Sequence, residues 1–139
     1  MIEFALVAPV FIFLMIGLIE VGRYSYFWIV AEHAARAGVQ YGAQNLETAA
    51  DAAANVGATD NAATSDAGIS GWTATSSLVC TLNGSPTTCP DTSTTTASPN
   101  LVYYVQVQVA GSEKSLLNYP GIPNTMSINV TAMQRVVNQ

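Results

Sequence analysis

The chain is predicted to be α+β, with a long hydrophobic α-helix at the N-terminus and a small antiparallel β-sheet in the C-terminal domain. Three observations predict this. Phe4 to Ile19 form an unbroken apolar run, small-residue helical sequence follows it, and two later segments alternate apolar and polar residues at strand period. The expected division is an N-terminal helical part, 1–57, whose apolar stretch is 2–30, and a β-rich globular part, 58–139.

The apolar run reads FALVAPVFIFLMIGLI and carries no charge. As a helix it is about 25 Å long, close to the ~30 Å hydrocarbon core of a bilayer, and Ile2 with the residues from Val21 onward extends it. A cleavable signal peptide needs a basic segment before the run and a small-x-small site after it. Here Glu3 precedes the run and Glu20-Val21-Gly22-Arg23 follow it. Either a basic leader has already been removed or Met1 is the initiator. Glu3 is costly beside so much apolar surface unless it is compensated. It either lies in the headgroup layer, where the helix dipole favours it, or pairs with the α-amino group of a neighbouring copy. Pro9 removes a backbone donor and is expected to kink or locally melt the helix unless neighbours compensate. Gly17 and Gly22 permit close helix approach.

Helix is expected to continue to about Gln44. Glu20 and Arg23, and Glu32 and Arg36, are spaced to share a helix face. Ala31, Ala34, Ala35, Gly38 and Gly42 offer a smooth packing surface. Tyr24, Tyr26, Phe27 and Trp28 suit either a membrane-interface belt or packing between subunits. LETAADAAANV is a strong helix former that either continues the long helix or forms a short one, with Asn45 or Thr48 as cap and Gly57 as stop. Ala58 to Gly71 is polar and turn-rich and reads as a linker.

Strand composition begins at Trp72 and runs to Leu82. Ser85 to Pro99 reads as an exposed Thr/Ser/Pro loop. In LVYYVQVQVA, Val105, Val107 and Val109 alternate with Gln106 and Gln108. In MSINVTAMQRV, Met126, Ile128, Val130, Ala132 and Gln134 occupy one side, with Asn129, Thr131, Met133 and Arg135 on the other. LLNYPGIPNT, between them, is a long loop. Three or four antiparallel strands against the C-terminal part of the helix are expected.

Charged residues make up 9% of the chain, against roughly a quarter in an ordinary soluble domain, so lipid, neighbouring copies or glycans are expected to cover the surface. The net charge of −5 and four scattered cations, Arg23, Arg36, Lys114 and Arg135, argue against nucleic acid. Cys80 and Cys89 flank a turn-rich stretch. They are expected to bridge a hairpin loop in an oxidising compartment; two free thiols are the alternative. Zinc is disfavoured because the single histidine, His33, lies far away in the helical region. No HExxH, GxSxG or phosphate-loop pattern occurs, and Asp60, Asp66, Asp91 and Glu113 are dispersed, so neither catalysis nor a cofactor is expected. Asn83 and Asn129 start N-glycosylation acceptor patterns, and Thr94 and Thr95 lie in a segment suited to O-linked sugar. A plain hydrophilic loop is the alternative.

Glu3-Phe4-Ala5-Leu6, Pro9, Glu20 with Gly22-Arg23, and Ala34-Ala35-Arg36 before Gly38 resemble the N-terminal region of TadE-like proteins, pseudopilins of the tight-adherence branch of type IV pili. The resemblance is closest over residues 2–43 and architectural beyond. It implies cleavage by a prepilin peptidase, residence in the inner membrane, and delivery by the pilus assembly machinery to a cell-surface filament. The glutamate stands third here, whereas type IV pilins usually have it fifth after processing. The expected role is a structural subunit that self-assembles into a helical homopolymer, with Glu3, Phe4, Pro9, Phe13, Leu14, Gly17, Glu20 and Arg23 as assembly residues. The alternative is a membrane-anchored minor pseudopilin that primes assembly or presents an adhesive domain to surfaces or other cells.

Overall fold

The computed structural model describes residues 2–53, 57–90, 100–116 and 124–137. One 41-residue helix, α1 (Ile2–Gly42), forms the spine. Two short helices follow, α2 (Leu46–Ala53) and α3 (Ala58–Ala67), and then strands β1 (Thr73–Leu82), β2 (Ser85–Thr87), β3 (Leu101–Lys114) and β4 (Thr125–Arg135). The strands make one antiparallel sheet in the order β2-β1-β3-β4. The three helices pack on one face of it, which gives the expected α+β architecture.

The core follows from two periodicities. Ala31, Ala34, Ala35, Gly38, Val39 and Gly42 recur at helical spacing and are buried. Val105, Val107 and Val109 recur at strand spacing and are fully buried, with Ile128 beside them on β4. The missing side chains at two glycines let the helix come this close. A Cβ on Gly38 would sit 3.0 Å from Ala63 and 3.1 Å from Val107, and one on Gly42 would sit 2.9 Å from Val105. The small-residue surface read from the sequence is therefore spent inside the subunit. The far end of the helix is tied down as well, where Val137 N–H donates to the Ala43 carbonyl at 3.2 Å.

The helix runs through Pro9 without interruption, so of the kink or local melting expected there the melting does not occur. The ring removes a single i→i−4 bond, and the turns on either side keep theirs. After Gly42 the chain breaks and restarts as a separate helix. Asn45 caps it: Thr48 N–H donates to Asn45 Oδ1 at 2.8 Å, and Asn45 N–H donates to Thr48 Oγ1 at 3.3 Å.

The expected linker at 58–71 is corrected, because residues 58–67 are α3. Its Thr, Asn, Ser and Asp content is poor for an isolated helix. Burial decides instead. Thr59, Ala63 and Ala67, at i, i+4 and i+8, are buried, and Thr59 and Ala63 fill the space beside Gly42 and Gly38. Gly68 ends the helix in the left-handed conformation, φ 62°.

The stretch from Ser85 holds a three-residue strand, β2, before leaving the described residues. Asn83 (φ 52°) and Gly84 (φ 81°) both have the positive φ of a two-residue hairpin turn. The Cys80–Cys89 bridge is formed and staples this hairpin at the sheet edge. β3 extends four residues beyond the expected strand. The loop read at 116–125 falls largely on 117–123, outside the described residues, as do Asp91, Thr94 and Thr95.

Two outcomes follow. Intact mass should rise by two hydrogens on reduction, and the bridge should contribute about 2–3 kcal/mol to stability; alkylation of both thiols without reductant would contradict it. Gly111→Ala would place a Cβ 2.5 Å from the Trp72 ring. In thermal melts of detergent-solubilised protein it should therefore cost about 1–3 kcal/mol, while Gly17→Ala, which meets nothing within 4 Å, leaves the subunit's own stability unchanged.

Candidate functional site

The functional feature is one helix with two unlike halves. From Ala31 onward one face is packed into the subunit's own core. Before it, the side chains project into open space: Phe4 is 78% exposed, Leu18 is 70% and Leu14 is 65%. The most apolar 18-residue window of this helix has mean hydropathy 2.0, and none of it is buried. The length and composition suffice to cross a membrane. An exposed apolar rod of this size is far beyond the scattered apolar residues of ordinary surfaces, and it marks a surface that something else must cover.

Between the two halves lies a collar of polar and aromatic groups. Glu20 Oε2 is 3.6 Å from Arg23 Nη1, one turn away. Its other oxygen accepts the backbone N–H of Leu116, just beyond β3, at 3.3 Å. The Arg23 guanidinium carbon lies 5.6 Å from the centroid of the Phe27 ring, a cation–π geometry. The Phe27 ring centre is 6.2 Å from that of Trp72. Trp72 is buried, and its indole N–H donates to Glu113 Oε1 at 3.0 Å. Met126 and Ile128 of β4 close the small cavity beside Arg23 and Phe27. Carboxylate, guanidinium and aromatic rings thus join the point where the helix leaves the domain to the neighbouring end of the sheet.

The residues expected to act in assembly divide accordingly. Glu3, Phe4, Pro9, Phe13, Leu14 and Gly17 lie along the projecting rod and do not converge. Glu20 and Arg23 are engaged with the subunit's own collar. The aromatic group divides too. Phe27 turns inward to Trp72, whereas Tyr24 and Trp28 stay partly exposed with ring centres 6.1 Å apart. Glu32 and Arg36 form the expected helix-face pair. His33 is exposed on α1. Among the described residues no group of three His, Cys, Asp or Glu side chains comes together as metal ligands. Asn83 sits in the hairpin turn, and Asn129 is on β4, where its Oδ1 accepts Gln108 Nε2–H at 2.9 Å.

The sequence reading missed Trp72, Glu113 and the Leu116 amide as collar members. The 41-residue separation of Trp72 and Glu113 hides their contact. One signal was available: Gly111 interrupts a strand pattern, and such a glycine often marks a close approach, here to the Trp72 ring.

Glu20→Ala removes the acceptor for Leu116 N–H and the partner of Arg23. Both groups are partly exposed, so the expected loss is only about 1 kcal/mol. Hydrogen exchange should show the Leu116 amide deprotected while those of the central β3 residues keep their protection. Unchanged protection at Leu116 would contradict the collar.

A family model described as TadE-like protein matches residues 1–40. No curated protein and no solved structure matches the chain. The matched segment ends within the packed half of α1, so it holds the whole projecting rod and the helical side of the collar. The match and the uncovered apolar helix fit a pilus-associated protein anchored in a membrane. The spine helix, up to residue 40, is thus the part of this chain that is similar to TadE-like proteins.

Proposed function

We propose that this chain is a structural subunit of an extracellular pilus-like filament. The projecting half of α1 sits in the inner membrane before assembly and in the polymer core afterwards. The observation that carries the reading is the unburied apolar window of a helix whose other half is firmly packed. Lipid covers such a surface in the membrane. Once a filament leaves the membrane, the alternative is water, and each large apolar side chain covered by another copy then contributes about 1.5–3 kcal/mol. Gly17 and Gly22, with open space around them, suit close helix–helix approach between copies.

Glu3 supports the same reading. Among the described residues no cation pairs with it, and the first arginine, Arg23, lies twenty residues on, about 30 Å along the helix. A positive group on a neighbouring copy would compensate it. Prepilin peptidase and the assembly machinery are the partners this role requires; the apolar stretch 2–30 is the part that the polymer buries, and the β-rich part, 58–139, faces outward.

The test is the composition of filaments sheared from cells. Filaments built mainly of this chain support the structural role; trace amounts, or recovery from membranes alone, favour the minor pseudopilin. Glu3→Ala should lower filament yield while the membrane-inserted monomer persists, and normal yield would remove the pairing role. Leu14→Ala should lower the resistance of filaments to heat and detergent more than Ser65→Ala on the exposed side of α3. Equal resistance would mean that the outer domains, not the helices, hold the polymer together.

A further inference from the structure

The length of the apolar half of α1 fixes where a bilayer surface meets the subunit. From Glu3 to Glu20 is about 26 Å of helix, and from Glu3 to Arg23 about 30 Å. A hydrocarbon core is about 30 Å thick. With Glu3 in one headgroup layer, the other layer lies at Glu20 to Arg23.

The end of the β3–β4 hairpin sits at this same level. Leu116, just beyond β3, donates its backbone N–H to Glu20 Oε1 at 3.3 Å. Helical side chains lean toward the helix N-terminus. The Glu20 carboxylate and the Leu116 amide it holds are therefore level with the last turn of the apolar run. Both strands end here: Lys114 pairs with Thr125, and Ser115 N–H donates to the Asn124 carbonyl at 3.0 Å. The Leu116 side chain is 58% exposed.

The charges are distributed to match. Arg23 and Lys114 line the same small cavity at this end, together with Tyr24 and Met126. Both nearby carboxylates are engaged, Glu20 by the Leu116 amide and Arg23, and Glu113 by the Trp72 indole. Lys114 is exposed and, among the described residues, has no carboxylate partner. The other acidic groups of the domain lie farther off. Glu32 is about 18 Å beyond Glu20 along α1. Helix α2, with Glu47 and Asp51, follows the far end of α1, and α3, with Asp60 and Asp66, packs against it at Gly42 and Gly38. Most of the negative charge is thus kept away from the one end that faces the bilayer. Tyr24 and Trp28, partly exposed and one turn apart, stand where a membrane-interface belt forms.

We propose that this end of the domain docks on the phospholipid surface around its own helix. Leu116 enters the boundary between headgroups and acyl chains, Lys114 contacts lipid phosphate, and Tyr24 and Trp28 lie in the headgroup layer. The subunit is then held to the membrane at two places, which fixes how the domain is oriented before assembly. A bilayer that already surrounds the rod reaches Leu116 without a further partner, whereas a second copy would first have to displace it. This docking rests on the reading of the projecting rod as a membrane span.

The test uses the full chain in vesicles of phosphatidylcholine and phosphatidylglycerol. A nitroxide is attached to one introduced cysteine at a time, from Leu116→Cys, Ile12→Cys or Ser65→Cys, since Cys80 and Cys89 are bridged. Its relaxation is read with oxygen, which concentrates in lipid, and with a nickel chelate, which stays in water. The site at 12 should meet oxygen and no nickel, the site at 65 should meet nickel freely, and the site at 116 should be shielded from nickel yet open to oxygen. Adding Lys114→Glu should abolish that shielding, bringing 116 to the nickel access of 65 and leaving 12 unchanged. Equal nickel access at 116 and 65, with 12 still in lipid, would overturn the docking alone. Low access of both reagents at 116 would overturn it as well, because protein would then cover the site. Shielding that survives Lys114→Glu would overturn the phosphate contact. Nickel access at 12 would overturn the membrane span, and the docking with it.

Discussion

A helix can lie against a sheet at close range only if the residues between them are small, and the rest of this structure depends on that contact. Gly38 and Gly42 meet Val107 and Val105 where even a methyl group would collide. Ala31, Ala34 and Ala35 continue the contact and are fully buried. The stripe fixes which part of α1 belongs to the domain. It also fixes which part does not: once the small residues give way to Phe, Leu, Ile and Met, the side chains are too large and the domain too short to cover them. A single helix thereby serves two environments, and the collar of Glu20, Arg23, Phe27 and Trp72 marks the change between them.

The collar ties the helix to the sheet at the point where it leaves the domain. A helix leaving a small domain would otherwise be held only by its last turns. Here a carboxylate on the helix accepts a backbone N–H from the far end of β3, and an aromatic pair fills the space behind it. Each contact is modest, and their position matters more than their sum: they act where the leverage of the projecting rod is greatest. The disulfide works at a different place, the β1–β2 edge, where three residues of β2 have little else to hold them.

Much of this was legible in the sequence because periodicity reports burial directly. The alternating valines of β3 and the apolar side of β4 were read correctly, since each strand has one wet and one dry face. The apolar run and the small-residue stripe were equally plain. Helix α3 was not, because its Thr, Asn, Asp and Ser content favours turns and only packing against Gly38 and Gly42 makes it helical. Phe27 was grouped with its aromatic neighbours, yet it turns inward, because a partner 45 residues later, Trp72, decides its direction. The unread parts of the collar are non-local in the same way, with groups far apart in sequence meeting only once the sheet has formed.

The central claim is that one half of α1 is covered by its own domain and the other half by other molecules. Single cysteines introduced by Leu14→Cys and Ser65→Cys test it with a water-soluble maleimide, since Cys80 and Cys89 are bridged and do not react. In cell membranes the site at 14 should stay unlabelled while the site at 65 labels fully; dissolving the membranes in denaturing detergent should make both react. Rapid labelling at position 14 in intact membranes would contradict the account, because the projecting helix would then have no partner.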